Sequence, residues 1–137
     1  MAEVVLRDKL ESLRRAMARI ESHRAPSAEV LRGDIDRQDI LSLNLTRAVQ
    51  LCVDMAVHLL ADRGQPAPRS MGEAFSALAE AGIIEPALAE RMRAAVGFRN
   101  IAVHSYRSID WEIVQRICAD GLDDFKAFAR AVAAGLS

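Results

Sequence analysis

The stretch RNIAVHSY, residues 99–106, places three polar side chains with chemical potential in an otherwise apolar segment. Arg99 is a permanent, forked cation that suits anionic groups, and the imidazole of His104 is a side chain that can accept and donate protons. Tyr106 adds a phenol that can donate a hydrogen bond. These residue types are unusual in a stretch that should be ordinary helix core. One interpretation is that Arg99 reaches solvent, Tyr106 is a core phenol with a satisfied hydroxyl and His104 is a surface residue.

A helical wheel shows why this stretch is unusual. At ~100° per residue, one face of the segment collects its apolar residues, among them Leu88, Met92, Ala95, Ala102 and Val103. Arg99 and Tyr106 fall in the middle of that face, whereas His104 lies on the far side with Asn100. An unpaired buried charge costs several kcal/mol. We therefore expect either that the helix ends or bends inside the motif, or that this face meets a partner or a groove.

A second set of polar residues follows one stripe of the longest helical pattern in the chain, residues 36–62. The stripe consists of Asp36, Asn44, Arg47, Gln50, Asp54 and His58. It is a solvated face, or it contains Asp54 and His58 as a simple i,i+4 pair, or it is a set of groups that orient an imidazole or hold a ligand. We count Asp54 and His58, with Asn100, as possible supporting residues only.

The elements that position these residues are all predicted to be helical. Apolar residues at alternating spacings of four and three predict a first helix over residues 6–24, and the 36–62 pattern is apolar enough to be the central helix. A short connector over 28–34 closes at Gly33, and residues 63–68 form a loop. With no alternating strand pattern and no repeat, the prediction is an all-α up-and-down bundle of four to five helices, forming one domain over residues 1–137.

Local signals place the ends of the later helices. Ser70 and Glu73 have the spacing of a capping box, and Gly82 is the expected stop of that helix. Pro86 suits the first turn of the helix that carries the motif. Ser108 is the expected N-cap of a last helix over residues 109–134, with acidic residues in its first turn.

Composition and missing motifs exclude several classes of protein. The 137 residues carry a net charge of −1, so no global basic field indicates nucleic-acid binding. Phosphate-binding glycine loops, a nucleophile elbow and paired histidines are all absent, and we expect neither metal nor cofactor. Cys52 and Cys118 have apolar neighbours and are expected to be buried thiols. The charged amphipathic start and the lack of an apolar run of ~18 residues predict a cytoplasmic protein without a membrane span.

The motif Arg99-x4-His104-x-Tyr106 resembles the R-x4–6-H motif of HEPN domains, in the R-x4-H-x-Y form typical of HepT toxins. Its surroundings agree with that resemblance: the motif lies in FRNIAVHSY, a serine and a helix follow it, and a long upstream helix contains LCVDMAVHLL. The resemblance extends over essentially the whole chain, from the first helix to the last.

The resemblance implies the toxin half of a toxin–antitoxin module, a metal-independent endoribonuclease. Such toxins are homodimers whose motif residues from both chains meet in a cleft at the interface. By this resemblance Arg99 and His104 are catalytic: Arg99 matches the charge that develops on the phosphate, and His104 shifts the proton of the attacking 2′-hydroxyl or of the leaving oxygen. Tyr106 donates to the phosphate or positions RNA. We expect the motif face to form the dimer interface, with Arg91, Arg93 and Arg107 adding local positive charge.

The resemblance also implies a second partner, an MntA-type nucleotidyltransferase antitoxin that transfers AMP from ATP onto Tyr106. A phenol carrying AMP places negative charge and bulk where Arg99 and His104 would receive RNA. A different class of function stays open beside this one. In that alternative the chain is a non-catalytic helical partner that binds a nucleotide or serves as the acceptor of a minimal nucleotidyltransferase.

Overall fold

A computed structural model describes residues 2–136, and within them the fold is helical without any β-strand. The α-helices are α1 (Ala2–Ser22), α2 (Ala28–Arg32), α3 (Ile35–Asp62), α4 (Met71–Glu80), α5 (Pro86–His104), α6 (Trp111–Arg116) and α7 (Leu122–Ala134). A 3-10 turn, Tyr106–Ser108, follows α5, and a π-helical segment, Ile117–Gly121, joins α6 to α7. The all-α prediction is confirmed.

Helix α3 is the centre of the bundle, as its apolar circumference predicts. It packs most extensively against α1 and also contacts α2, α4, α5, α6 and α7. By length and composition alone α3 could cross a membrane, but most of its apolar stretch is buried inside the bundle. That burial is typical of a core helix that its neighbours cover on several sides.

One core cluster joins residues from all of these α-helices. Leu6, Leu13 and Ile20 of α1 are almost completely buried, so the predicted apolar stripe is confirmed. Phe75 of α4 and Phe128 of α7 meet edge to face with ring centroids 5.5 Å apart, which links the middle of the chain to its last helix. The thiols of Cys52 and Cys118 are free and buried, as predicted, and burial raises the pKa of Cys118 to about 11.

The capping signals near α4 are confirmed with one difference. Ser70 Oγ accepts a hydrogen bond from the Glu73 backbone N–H at 3.1 Å. The Glu73 carboxylate, however, accepts from the N–H of Arg69 at 3.0 Å and not from that of Ser70. Gly82 follows the helix with φ of +77°, a left-handed conformation that favours glycine.

The predicted start of the last helix is wrong by two residues. Ser108 ends the 3-10 turn and does not cap a helix, whereas Asp110 caps α6 by accepting from the N–H of Glu112 at 2.9 Å. The reason is tertiary: Ile109 stays extended and buries its side chain in the core. The π-helical segment Ile117–Gly121, which interrupts the predicted last helix, was not foreseen from the sequence.

Candidate active site

Helix α5 ends inside the motif, one of the two outcomes that the wheel predicts. Its last residue is His104; Ser105 leaves helical geometry with φ of −145°, and its N–H donates to the carbonyl of Ile101 at 2.8 Å. Tyr106 therefore lies beyond the helix, and its predicted place on the apolar face beside Arg99 is wrong. Val103, in the last turn, is also exposed rather than in the core.

Arg99 is half-buried against α3, and its guanidinium is held from two sides. Nη1 donates to Oδ1 of Asn100 at 3.2 Å, and Nη2 donates to Oε1 of Gln50 at 3.4 Å. Nε is buried and has no hydrogen-bond partner within residues 2–136. A buried polar atom without a partner is uncommon in folded proteins. The cation is thus pre-oriented while part of its donor capacity stays unused.

Gln50 connects Arg99 to two further charged residues. Its amide Nε2 donates to Asp54 Oδ1 at 2.9 Å, and the other oxygen of that carboxylate lies 3.4 Å from Lys9 Nζ on α1. We call Arg99, Gln50, Asp54 and Lys9 the polar network. Two residues of the predicted stripe are therefore connected to the motif: Gln50 contacts Arg99 directly, and Asp54 is connected to it through Gln50.

The rest of the predicted stripe has other surroundings. His58 is half-buried, and in the described part of the chain no hydrogen bond or ion pair joins it to Asp54. The Asp54–His58 pair, one of the alternatives that the sequence left open, is therefore not formed among the described residues. Asn44 is buried and donates to the carbonyl of Ile40 at 2.9 Å, while Asp36 and Arg47 are exposed. Lys9 was missed because only the packing of α1 on α3 brings it to Asp54.

Tyr106 is fixed in the turn that follows α5. Its Oη donates to Asp39 Oδ1 at 2.7 Å, and its ring meets Trp111 edge on, with centroids 6.0 Å apart. Partial burial, together with the neighbouring Asp39 carboxylate, raises the pKa of Tyr106 to about 12, and the Ser42 hydroxyl opposes part of that rise. Asp39 was missed because no local spacing links it to the motif.

His104 and Asn100 complete the predicted set. His104 is exposed at the end of α5, and no hydrogen bond involving its ring is found among residues 2–136. Asn100 is exposed and accepts from Arg99. The structure therefore builds two separate contact groups, one around Arg99 and one around Tyr106, and places His104 in neither of them.

A basic groove of about 500 Å³ runs between α1 and α3 and reaches the polar network at Gln50. Its lining residues are Ser12, Arg15, Ala16, Arg19, Asn44, Arg47, Gln50 and Leu51. Three guanidinium groups therefore lie along one groove of a chain whose net charge is −1. Arg91, one of the residues expected to add local charge, instead pairs with Asp124 at 2.7 Å.

Helix α5 also borders an apolar groove of about 510 Å³ with α6 and α7, where Phe98 and Ile113 are among the lining residues. Within the described residues, no group of three or more histidine, cysteine, aspartate or glutamate side chains is arranged to hold a metal ion.

Comparison with known proteins defines the class of this arrangement. The family model described as ribonuclease HepT-like matches residues 13–132. The chain is 29% identical over 134 residues to the mRNA nuclease HepT of Shewanella oneidensis, an alignment that covers 98% of this chain and 99% of that protein.

Solved structures agree with that match. The chain is similar to the tri-AMPylated HEPN toxin of Shewanella oneidensis in complex with its MNT antitoxin, with 29% identity, a TM-score of 0.89 and coverage of 95% of this chain and 97% of that one. A toxin–antitoxin structure with AMP-PNP gives 28% identity and a TM-score of 0.87, over 93% of this chain and 97% of that one.

The fold and the motif define a HEPN-type RNA endonuclease. The chain belongs to the HepT-like ribonuclease family.

Proposed function

We propose that this chain is the toxin of a toxin–antitoxin module and cleaves RNA without a metal ion. The observation that carries the proposal is Arg99: a half-buried guanidinium, oriented by Gln50 and Asn100, whose Nε has no partner among residues 2–136. A planar cation held in this way suits the charge that develops on a phosphate under attack. The relatives described as an mRNA nuclease and as a HEPN toxin support the same chemistry.

In this proposal His104 moves the proton and Arg99 stabilises the phosphate. The imidazole accepts the proton of the attacking 2′-hydroxyl or delivers one to the leaving oxygen, and its position at the end of α5 keeps it accessible to RNA. Tyr106 donates to the phosphate or positions the strand. Asn100 and Asp54 support Arg99, Asn100 directly and Asp54 through Gln50.

The experiment is RNA cleavage by the purified protein in the presence and absence of a chelator, together with growth on expression. We expect cleavage to persist in chelator, and His104→Ala to abolish both cleavage and growth arrest. His23→Ala is the matched control, because its ring bonds to the Arg19 carbonyl at 2.8 Å on another helix, outside the motif. Cleavage that stops in chelator contradicts metal independence, and full activity of His104→Ala contradicts the catalytic assignment.

We further propose a homodimer in which the motif faces of two chains form one cleft. Half-exposed apolar residues on the motif side, Leu43 and Val57 of α3 and Val103 of α5, support an interface there. In a two-fold dimer the same surface of each chain contributes to both sites. In this arrangement the second chain supplies motif residues that a single chain holds too far apart to form one site.

A mixing experiment tests the composite site. Arg99→Ala and His104→Ala are each inactive, but a mixed dimer retains one intact site if each site takes Arg99 from one chain and His104 from the other. Random mixing then restores about a quarter of wild-type cleavage. If both residues of a site come from the same chain, mixing restores nothing, and sedimentation as a monomer would refute the dimer itself.

RNA is proposed to follow the basic groove from the polar network. Phosphate contacts by Arg19 and Arg47 would make RNA binding depend on salt. On single-stranded RNA, the slope of the logarithm of the binding constant against the logarithm of salt concentration falls in magnitude by about 0.7 for each phosphate contact removed. Arg47→Ala should therefore weaken binding of unrelated sequences to the same degree and lower that slope. Arg130→Ala, on exposed α7 surface, is the control, and equal slopes for the two variants contradict the path.

Neutralisation is proposed to occur by AMP transfer from ATP onto Tyr106, catalysed by an MntA-type nucleotidyltransferase. The accessible phenol in the turn after Arg99 supports this, as do the relatives described as a tri-AMPylated toxin and a toxin–antitoxin with AMP-PNP. Intact-mass analysis after co-expression should show AMP-sized increments that are lost in Tyr106→Phe. Increments that persist in Tyr106→Phe place the modification elsewhere.

A second candidate is a non-catalytic acceptor or nucleotide-binding partner of such a nucleotidyltransferase. It is favoured by the contrast between Tyr106, which is fixed by Asp39 and Trp111, and His104, which has no hydrogen bond within the described range. In this case Tyr106 modification survives His104→Ala while RNA turnover is never observed. We also propose that residues 1–137 act as one domain, which the core cluster shared by the described helices supports, and that the protein is cytoplasmic.

A further inference from the structure

The phenol oxygen of Tyr106 lies against two polar side chains of α3. Tyr106 Oη donates a hydrogen bond to Asp39 Oδ1 at 2.7 Å, and Ser42, three residues later and therefore on the adjacent surface of the helix, is close enough to influence the pKa of the phenol. Ser42 is buried, and its Oγ has no hydrogen-bond partner within residues 2–136. A carboxylate and a hydroxyl whose contact with the phenol falls short of a well-formed hydrogen bond thus flank Tyr106.

The environment of the Ser42 hydroxyl is unfavourable while Tyr106 is unmodified and neutral. A buried hydroxyl without a well-formed hydrogen bond is unfavourable, and native proteins contain few of them. Such a group becomes favourable when the neighbouring oxygen gains negative charge, because Oγ–H can then donate to it. Tyr106 is 42% exposed, so a phosphate can reach its phenol oxygen. The hydrogen of that phenol is directed toward Asp39.

We propose that Asp39 is the proton acceptor, and Ser42 the hydrogen-bond donor, that prepare Tyr106 for AMP transfer. The inference rests on the proposed role of Tyr106 as acceptor and adds the residues of this chain that make the phenol a nucleophile. Activation by the modified protein itself means that a nucleotidyltransferase need only present the nucleotide.

The step balances with a nucleoside triphosphate as co-reactant. Tyr106 Oη forms a bond to the α-phosphorus of ATP, and the bond from that phosphorus to the bridging oxygen of pyrophosphate breaks. The phenol proton passes to a carboxylate oxygen of Asp39 and then to solvent. Ser42 Oγ–H donates to Oη while charge is high on it, and the products are Tyr106-O-AMP and pyrophosphate.

The first test needs no partner, because the chain contains one tyrosine and one tryptophan. The ultraviolet absorbance of tyrosinate therefore reports Tyr106 alone. Wild-type protein should titrate with a pKa of about 12, and Asp39→Asn should bring the pKa toward the ordinary value of about 10. Asp36→Asn, an exposed carboxylate earlier on α3, is the matched control and should titrate like wild type.

The second test measures AMP transfer by the cognate nucleotidyltransferase with ATP, followed by intact mass. General-base catalysis contributes about 10²–10⁴-fold, so Asp39→Asn should slow transfer at least about 100-fold. Asp39→Glu should recover part of the rate, and Ser42→Ala should lower it about tenfold. In Asp39→Asn the rate should rise steeply with pH as hydroxide replaces the lost acceptor, a readout that a purely structural role would not produce.

Each outcome decides the proposal. Transfer to Asp39→Asn at the wild-type rate, or faster, overturns the role of Asp39 while Tyr106 remains the acceptor. Wild-type protein that gains no AMP at Tyr106 overturns the proposed neutralisation and this inference with it. A tyrosinate titration that Asp39→Asn does not change shows that the 2.7 Å hydrogen bond is absent in solution and refutes the geometry directly.

Discussion

Gln50 is the residue whose replacement tests the polar network most directly. Its amide accepts from Arg99 Nη2 at 3.4 Å and donates to Asp54 Oδ1 at 2.9 Å, so Gln50→Ala separates the cation from the Asp54–Lys9 pair. Arg99 keeps its charge and its contact with Asn100. The change therefore removes a contact that orients Arg99 without removing the proposed catalytic group.

The size of the effect follows from these distances. The 3.4 Å bond is longer than the usual range of about 2.7–3.2 Å and restrains Arg99 only weakly, whereas the 2.9 Å bond to a carboxylate is charge-assisted. Because Asp54 and Lys9 are partly exposed, we expect Gln50→Ala to lower the free energy of unfolding by only about 1 kcal/mol. Loss of one of two orienting partners should slow RNA cleavage about tenfold, equivalent to about 1.4 kcal/mol of activation free energy.

The assay compares single-turnover RNA cleavage with urea unfolding for the same variants. Gln65→Ala, in the exposed loop after α3, is the matched control and should leave both quantities unchanged. Asp54→Asn should have a smaller effect than Gln50→Ala, because an amide oxygen can still accept from Gln50. Unchanged cleavage by Gln50→Ala, at a measurable loss of stability, would show that Gln50 does not orient Arg99 and would refute the reasoning.

Three further predictions concern the fold around the site. Phe128→Ala should lower the free energy of unfolding by about 3–5 kcal/mol in urea titrations, because it empties a fully buried ring position. The control is Val4→Ala at an exposed position of α1, which should change that free energy by less than about 0.5 kcal/mol. A loss below about 1 kcal/mol for Phe128→Ala contradicts the core assignment. Gly97→Ala should stabilise the protein by about 0.5–1 kcal/mol, because Gly97 lies in α5 with open space around an added Cβ. Gly82→Ala should destabilise it by about 1 kcal/mol, because φ at Gly82 is +77°. Equal effects of the two variants in thermal unfolding would contradict the backbone geometry. The pKa of Tyr106 is raised to about 12, so its contribution to stability is fully present below pH about 10 and is lost as pH rises toward 12. The difference in the free energy of unfolding between wild type and Tyr106→Phe should therefore fall across that interval. A difference that does not change with pH argues against this contribution.

Much of the bundle can be read from local patterns. The apolar stripe of α1, the all-round apolar α3, the cap at Ser70 and the stop at Gly82 were all predictable, because each depends on residues within about one or two helical turns. The start of the last helix was not, because burial of Ile109 overrides the capping preference of Ser108. The end of α5 at His104 was only one of two outcomes that the wheel allowed.

The candidate site divides in the same way. The motif Arg99-x4-His104-x-Tyr106 and the stripe containing Gln50 and Asp54 are visible in the sequence, since residue type and spacing define them. Asp39 and Lys9 are not, because each reaches its partner only across a helix–helix contact between distant parts of the chain.

The sequence by itself determined that the chain folds as helices, where the main apolar stripes of those helices lie and which residues form the motif. These properties follow from side-chain type and the helical period alone. Only the tertiary structure decided that Arg99 bonds to Gln50 while Tyr106 leaves the helix and bonds to Asp39. The physical reason is that such partners are selected by packing, which brings groups distant in sequence within hydrogen-bonding distance and which no local pattern encodes.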